Sequence, residues 1–174
     1  MIARMVPMSN RSEGLSGSQE QAWSLLVGVT TWLPTTMDAN LAQVAGLSHA
    51  EYQVLRWLAR AEGGALHMTR LANTTSVTQS HLSRIVARLE KRELVSREPD
   101  PYDGRYTLAR LTDAGAAVVS AADGAYGASV RELVFEDAPD EDIAALARVS
   151  ARILQRIRPE CLDAHAAQPE PAGS

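Results

Sequence analysis

Cysteine is almost absent from this chain, since Cys161 is the one cysteine among 174 residues. A single thiol excludes an internal disulfide framework. The four histidines, His49, His67, His81 and His165, show no metal-ligand spacing, and one cysteine cannot complete a zinc cluster. We therefore predict that the protein uses no metal and no cofactor.

The sequence also has no long apolar run and no catalytic motif. No stretch approaches the ~18 consecutive apolar residues that suggest a membrane span. Residues 1–17 have no compact apolar block after a basic start, so we expect no secretory signal and a cytoplasmic protein. A nucleophile elbow, a phosphate-cradling glycine loop and a dinucleotide fingerprint are all missing, which argues against an enzyme.

Positive charge is in deficit overall, because the formal net charge is −4. Residues 66–110, however, contain eight basic and five acidic residues, so this segment is positive while the remainder is acidic. A basic module on an acidic body is the electrostatic footprint of a protein that binds a polyanion. The overall charge therefore does not exclude nucleic acid.

The segment at residues 78–94 reads TQSHLSRIVARLEKREL and predicts an amphipathic helix. Its apolar stripe, at spacings of three and four, consists of Leu82, Ile85, Val86 and Leu89. Its other faces are polar near the start and cationic further along. Either Thr78 alone or a capping box of Ser76 and Gln79 fits the first turn.

A short hairpin follows this helix. Residues 95–97 and 106–111 alternate as strands do, and prolines, aspartates and Gly104 lie between them as turn residues. Arg105 falls near the tip of the turn. A helix with a polar, cationic face and a basic hairpin together predict a DNA-binding winged helix.

Helical patterns flank this module on both sides. Residues 19–45 predict a helix that Pro34 kinks or divides, and Ser48 with Glu51 forms a capping box for the next helix. Residues 66–72 predict a short helix, which completes a helix-turn-helix frame. Residues 113–135 and 139–158 predict two further helices, and residues 1–18 and 159–174 predict a disordered N-terminal tail and a flexible C-terminal tail.

The hairpin contains the pattern D-x-R-x-x-x-x-x-L-T-x-x-G as Asp103, Arg105, Leu111, Thr112 and Gly115. This pattern resembles the wing signature of the MarR family of bacterial transcription regulators, and residues 82–95 resemble the family's recognition helix and its exit. The resemblance extends over about residues 21–158. The chain departs from it at Glu93, where many members have glycine.

The resemblance implies a mainly α fold, a winged helix-turn-helix with a two-stranded β wing and with N- and C-terminal dimerisation helices. Residues 19–158 would form one domain. Within it, about residues 47–112 would be the DNA-binding module, and residues 19–45 and 113–158 would be the dimerisation helices.

Candidate DNA contacts come from the recognition helix and the wing: Thr78, Gln79, Ser80, His81, Arg84, Arg88 and Arg105. Glutamine can bridge an adenine and arginine a guanine in the major groove, and a wing-tip arginine can enter a narrow minor groove. The carboxylate of Asp103 would be repelled by DNA phosphates, so we expect no DNA contact from it. We predict instead that it braces the hairpin by pairing with an arginine. The alternative is a solvated helix face and a solvated turn.

Two further expectations concern ligands. The family often keeps an effector pocket between the first helices and the DNA module, for which the candidates are Trp23, Trp32, Met37, Tyr52 and Trp57. Aromatic and methionine stripes at helical spacing are more often core residues, and we favour that interpretation. Cys161 lies outside the region of resemblance and is interpreted as incidental.

The predicted function is a sequence-specific regulator that binds double-stranded DNA as a homodimer on a pseudo-palindromic operator, with repression as the expected outcome and a small-molecule effector as a possible further partner. Two alternatives stay open, an architectural DNA-binding protein without effector response and a helical protein-interaction module.

Overall fold

The structure is a computed structural model that describes residues 14–166. Its helices are α1 (Gly17–Ala45), α2 (His49–Arg60), α3 (Met68–Thr74), α4 (Gln79–Lys91), α5 (Asp113–Val130), α6 (Asp140–Ile157) and α7 (Pro159–Ala166). Its strands are β1 (Ala65–His67), β2 (Val95–Pro99) and β3 (Thr107–Leu111). A 3-10 turn at Glu62–Gly64 precedes β1, and a π-helical turn at Arg131–Phe135 follows α5. The mainly α winged helix-turn-helix fold is thereby confirmed.

The core lies where α2, α3, α4 and the sheet meet. Its largest fully buried side chains include Tyr52, Leu55, Leu58, Leu82 and Ile85. The predicted stripe of α4 is entirely buried, which holds the opposite face of that helix toward solvent. Burial of apolar surface therefore fixes which face of α4 is available for contact.

The sheet has three antiparallel strands in the order β1-β3-β2. The wing strands β2 and β3 pair with Val95 opposite Leu111, and β1 pairs with the other edge of β3. The expectation of a helix over residues 66–72 was therefore wrong at its start, because residues 65–67 are extended and α3 begins at Met68. The free edge of β3 supplies hydrogen-bond partners that a local sequence pattern cannot reveal.

The first helix starts two residues earlier than predicted and ends at Ala45, as predicted. Ser16 caps it by accepting a hydrogen bond from the backbone amide of Gln19, so residues 17 and 18 are helical and residues 1–13 lie outside the described part of the chain. Pro34 does not divide the helix. The proline removes the donor for the carbonyl of Thr30, but this stretch is exposed and water can hydrate that group.

The C-terminal tail predicted for residues 159–174 was wrong over its first half. Pro159 ends α6 and opens α7, which packs on α3 of the helix-turn-helix. Proline is well tolerated at the first position of a helix, because its missing amide has no intrahelical partner there. Cys161 is buried, 1% exposed, with its Sγ 3.9 Å from the hydroxyl of Ser76. Residues 167–174 lie outside the described chain.

Large apolar side chains remain exposed on α1 and α6. On α1 they include Trp23 at 59% and Trp32 at 70% exposure, and on α6 they are Leu146, Val149, Ile153 and Ile157. No residue of α6 is buried. The four residues on α6 recur at spacings of three and four and so form one apolar stripe, which is typical of an interaction surface. Within residues 14–166, no helix is long and apolar enough to cross a membrane.

The exit of α4 has the hydrogen bonds of a Schellman motif. The amide of Leu94 donates to the carbonyl of Leu89 over 3.0 Å, and the amide of Glu93 donates to that of Glu90 over 2.9 Å. This geometry places Glu93 at φ 58°, the left-handed region that favours glycine. The left-handed exit therefore exists although the chain has glutamate there.

We expect Glu93→Gly to stabilise the protein by up to about 1 kcal/mol, because glycine adopts a left-handed φ without the Cβ clash. Glu93→Ala is the matched control, since it removes the charge but keeps the strained backbone. Urea unfolding at one fixed protomer concentration measures both variants. Equal stabilisation by alanine would show that charge, and not backbone strain, is the cause.

Candidate nucleic-acid interface

Helix α4 presents its N-terminal turns to solvent. Thr78 is the N-cap, and its hydroxyl accepts a hydrogen bond from the amide of His81 over 3.3 Å. The alternative capping box at Ser76 is wrong, because Ser76 lies before the cap with φ 56°. The exposed side chains of this end of the helix are those of Thr78, Gln79, Ser80, His81, Ser83 and Arg84. They are the groups that a major groove can meet.

A groove of about 290 Å³ separates this face from the wing. Gln79 and Arg105, predicted from two distant segments, both line it. The amide Nε2 of Gln79 donates to the hydroxyl of Thr69 over 3.4 Å, so α3 orients a candidate base-reading side chain. The other residues lining the groove are His67, Met68, Thr69, Leu82, Ser83, Arg97, Tyr106 and Thr107. Ser80, His81 and Arg84 lie on α4 outside this lining.

The tip of the wing is braced by carboxylates. Asp103 accepts hydrogen bonds from Arg105, with 2.9 Å between Nε and Oδ1 and 2.6 Å between Nη2 and Oδ2, as its predicted role requires. Asp100 accepts bonds from the amides of Tyr102 and Asp103, and its Oδ2 lies 3.1 Å from His67 Nε2. Arg105 is thereby held outward, with 84% of its side chain exposed.

The base of the wing explains the L-T-x-x-G part of the motif. The hydroxyl of Thr112 donates to the carbonyl of Glu93 over 2.8 Å and accepts from the amide of Gly115 over 3.0 Å. It therefore joins the exit of α4 to the start of α5. A Cβ on Gly115 would lie 2.1 Å from the carbonyl oxygen of Leu94. Only glycine fits this close approach of two backbones.

Several cations of the module are paired within the chain. Arg97 contacts Glu90 over 2.5 Å, Arg110 contacts Glu98 over 2.5 Å, and Arg105 contacts Asp103. The hydrogen bonds from Arg105 hold the pKa of Asp103 below its ordinary value, and those to Asp103 raise the pKa of Arg105. Both groups therefore stay ionised at neutral pH.

Not all the cations are neutralised in this way. Considering residues 14–166 alone, Arg70, Arg84 and Lys91 form no ion pair, and all three are exposed. Arg88, a candidate DNA contact, donates to Glu51 over 3.1 Å, although 54% of its side chain remains exposed. Among the arginines predicted to contact DNA, Arg84 is thus the one whose charge is not already paired with a carboxylate of the described chain.

Sequence reasoning missed residues that only tertiary structure brings to the groove. Thr69, His67 and Tyr106 come from α3, β1 and the wing, which the chain separates by up to 39 positions. Ser83 was detectable, because it lies four residues after Gln79 on the same helical face. Tyr102, at the wing tip, is 98% exposed and had no sequence signal beyond its position in a turn.

The five candidate ligand-binding residues do not share one surface. Met37, Tyr52 and Trp57 are buried at 3%, 0% and 8% exposure, which confirms the core interpretation for these three. Trp23 and Trp32 are exposed on α1, so the core interpretation is wrong for them within one chain. A local periodicity cannot distinguish a stripe that faces the core from one that faces solvent.

The part of the chain that the structure describes contains no group of three or more histidine, cysteine, aspartate or glutamate side chains placed to hold a metal ion. Hydrogen bonds and exposed arginines are the binding groups that the groove does provide. Such groups suit a ligand with phosphates and base edges.

These features define a winged helix-turn-helix protein. Two helices are joined by a short turn, the second has a polar N-terminal face, and the wing ends in an exposed arginine. A model of the MarR family matches residues 45–105. A solved structure 31% identical in sequence, of which this chain covers 92%, is a MarR family transcriptional regulator. The chain belongs to the MarR family.

That solved structure is Sco3205 from Streptomyces coelicolor in complex with DNA, which matches 84% of this chain with a TM-score of 0.80. CouR from Rhodococcus jostii, bound to p-coumaroyl-CoA, is 26% identical, with a TM-score of 0.68 and coverage of 80% of this chain and 95% of CouR. The transcriptional repressor NicR from Pseudomonas putida is 38% identical over 69 residues, 40% of this chain. The match covers only 44% of NicR, less than half of that relative.

Proposed function

We propose that this protein is a sequence-specific transcription regulator that binds double-stranded DNA as a homodimer and represses by occupying a pseudo-palindromic operator. One observation carries the proposal: Gln79 of the recognition helix and Arg105 of the wing line one exposed groove. A recognition helix reads the major groove, and a cation next to it can enter the adjacent minor groove. Sco3205, whose structure is a complex with DNA, supports it.

The proposed contacts divide into two kinds. Gln79, with Ser80, His81 and Arg84, reads base edges from the N-terminal turns of α4, as the donor and acceptor code of the major groove permits. Arg105 enters the minor groove beside it, where a narrow groove concentrates negative potential. Thr78 contributes the cap of α4. Arg88 is mainly a structural partner of Glu51 and a secondary phosphate contact.

Dimerisation is part of the proposal because each half-site needs one recognition helix. The exposed apolar residues of α1 and α6 supply the surface for a second copy, with Trp23 and Trp32 inside it. Two modules related by a two-fold axis would address half-sites about one helical turn apart. We place the protein in the cytoplasm, where such an operator lies.

Control by a small molecule completes the proposal. CouR bound to p-coumaroyl-CoA is a relative with a ligand, which supports this step. A ligand that binds one dimer shape better than another shifts the population of the DNA-competent shape. Displacement of the protein from recovered operator DNA by candidate acids and acyl thioesters tests this step separately from DNA binding.

Footprinting of the purified protein on genomic DNA tests the proposal as a whole. We expect a small set of protected sites with two-fold symmetric sequence. Uniform weak protection would identify an architectural DNA-binding protein. No protection at low salt would favour the protein-interaction module.

The salt dependence of DNA binding follows from the ion pairs of the module. Because Arg97 and Arg105 bring carboxylates with them, we expect the wild-type dimer to neutralise only about four phosphates, giving a slope of log K against log salt near −3 to −4. Asp103→Asn should steepen the slope by about 2 per dimer, since it frees Arg105 in each subunit. Titrations at four salt concentrations measure both slopes, and an unchanged slope in Asp103→Asn would show that the charge of Arg105 does not contribute to DNA binding.

A further inference from the structure

A buried carboxylate lies at the start of α2, where three helices meet. Glu51 is 8% exposed, and its two oxygens have different partners. Oε2 accepts a hydrogen bond from the amide of Ser48 over 2.9 Å and so completes the capping box of α2. Oε1 accepts a hydrogen bond from Nε of Arg88 over 3.1 Å and so reaches the recognition helix.

A second arginine of the recognition helix extends this contact to α1. Arg92 is the C-cap of α4 and lies four residues after Arg88. Its Nη1 donates to the carbonyl of Gly46 over 3.1 Å and lies 3.9 Å from Oε2 of Glu51. Gly46 is the left-handed cap that ends α1. The end of the candidate dimerisation helix is thus bonded to the end of the recognition helix.

The corner between α1 and α2 is fixed by a further bond. The amide of His49 donates to Oδ1 of Asp38, on α1, over 2.5 Å. The first turn of α2 therefore cannot rotate relative to α1 without loss of this bond. Rotation of α4 relative to α2 would separate Glu51 from Arg88 and leave a buried carboxylate without its partner, which is unfavourable.

We propose that Glu51 is a positioning residue for DNA recognition: through Arg88 and Arg92 it sets the angle between α1 and α4, and hence the separation of the two recognition helices in the dimer. The inference rests on the proposed function, because it assigns a DNA-binding consequence to this contact. In this role Glu51 touches no DNA. It determines which half-site spacing the dimer accepts.

Binding to duplexes of altered spacing tests the role of Glu51 directly. One inserted base pair moves a half-site by roughly 3.4 Å along the axis and rotates it. We expect the wild type to lose at least tenfold in affinity for a recovered operator with one central base pair added or removed. The Glu51→Gln variant should lose less than threefold in affinity for the same altered operators, because its recognition helices are free to adjust their separation. Arg92 is partly exposed, so Arg92→Gln should remain folded. It should show the same weakened dependence of affinity on half-site spacing.

Ser48→Ala is the matched control. It removes the hydroxyl cap of α2 but leaves the carboxylate and both arginines in place. If Glu51 acts as a positioning residue, Ser48→Ala keeps the tenfold spacing preference. The proposal would be overturned if Ser48→Ala weakened the preference for the native half-site spacing as much as Glu51→Gln does. It would also be overturned if Glu51→Gln and Arg92→Gln both kept the wild-type spacing preference.

A measurement without DNA separates this proposal from the proposed function. Ser83 is exposed on α4, so Ser83→Cys carries a spin label in each subunit of the full chain, while Cys161 is buried. We expect one narrow distance distribution between the two labels, which Glu51→Gln broadens and Ser48→Ala does not. A protein that shows this broadening but binds no DNA would refute the proposed function and, with it, the DNA-binding consequence of Glu51, and would leave only the structural coupling of α1 to α4. An unbroadened distribution in Glu51→Gln would refute the positioning role alone.

Discussion

Replacing Gly115 with alanine is expected to destabilise the protein by at least about 3 kcal/mol. The new Cβ would lie 2.1 Å from the carbonyl oxygen of Leu94 and 2.8 Å from a methyl group of Leu111. The Leu111 methyl group belongs to a flexible side chain, but the Leu94 carbonyl cannot give way, because it is backbone and accepts a hydrogen bond from the amide of Thr112 over 3.2 Å. Relief of the clash requires the start of α5 to move away from the wing.

Gly124→Ala in the same helix is the control for this variant. A Cβ at Gly124 meets nothing within 4 Å, so alanine there should stabilise by up to about 1 kcal/mol through its higher helix propensity. Urea unfolding monitored by circular dichroism at one protomer concentration compares the two. If Gly115→Ala is as stable as Gly124→Ala, the start of α5 does not pack closely against the exit of α4 and the prediction is contradicted.

The second large effect concerns assembly. The double variant Val149→Asp and Ile153→Asp places two carboxylates on the exposed apolar face of α6, where the wild type exposes 43% and 37% of these residues. Twofold symmetry repeats each change across the interface. Because unpaired buried carboxylates are strongly unfavourable, we expect dimer affinity to fall by more than about 100-fold. Operator affinity should fall with it, since each monomer contacts one half-site.

Gln155→Asp is the matched control, because Gln155 lies on the opposite side of α6 from Ile153. Sedimentation at micromolar concentration should show a dimer for the wild type and for this control, and a monomer for the double variant. Each should keep its helical circular dichroism, since these side chains are not buried in one chain. A double variant that remains dimeric would place the subunit interface elsewhere.

The elements that could be predicted from sequence are those with a strong local signal. Helix α4 was predicted with its buried stripe, because amphipathic spacing is a property of adjacent residues. Its cap was narrowed to Thr78 or Ser76, and the structure selects Thr78. The wing was predicted because its turn residues and its D-x-R pattern lie together in the chain. Gln79 and Arg105 reach one groove because both elements have the predicted form.

The features that were missed depend on contacts between distant residues. Strand β1 pairs with the free edge of β3, α7 packs against α3, and Cys161 of α7 contacts Ser76 in the turn after α3. Periodicity on α1 identified an apolar face but could not show that Trp32 points to solvent. The pairing of Arg88 with Glu51 joins residues 37 positions apart. Such pairings also decide which of the cations remain unmatched.

Competition binding of Gln79→Ala and Arg105→Ala to operator and scrambled duplex, at one fixed salt concentration, tests the central claim most directly. Gln79 carries no charge and lies where each base pair is distinguishable, so its loss should weaken operator binding by about 1–3 kcal/mol and leave scrambled DNA nearly unaffected. Arg105→Ala should weaken both duplexes by similar factors, because a wing cation reads little beyond groove width. If Gln79→Ala weakens scrambled and operator DNA equally, the exposed N-terminal face of α4 is not the surface that reads sequence.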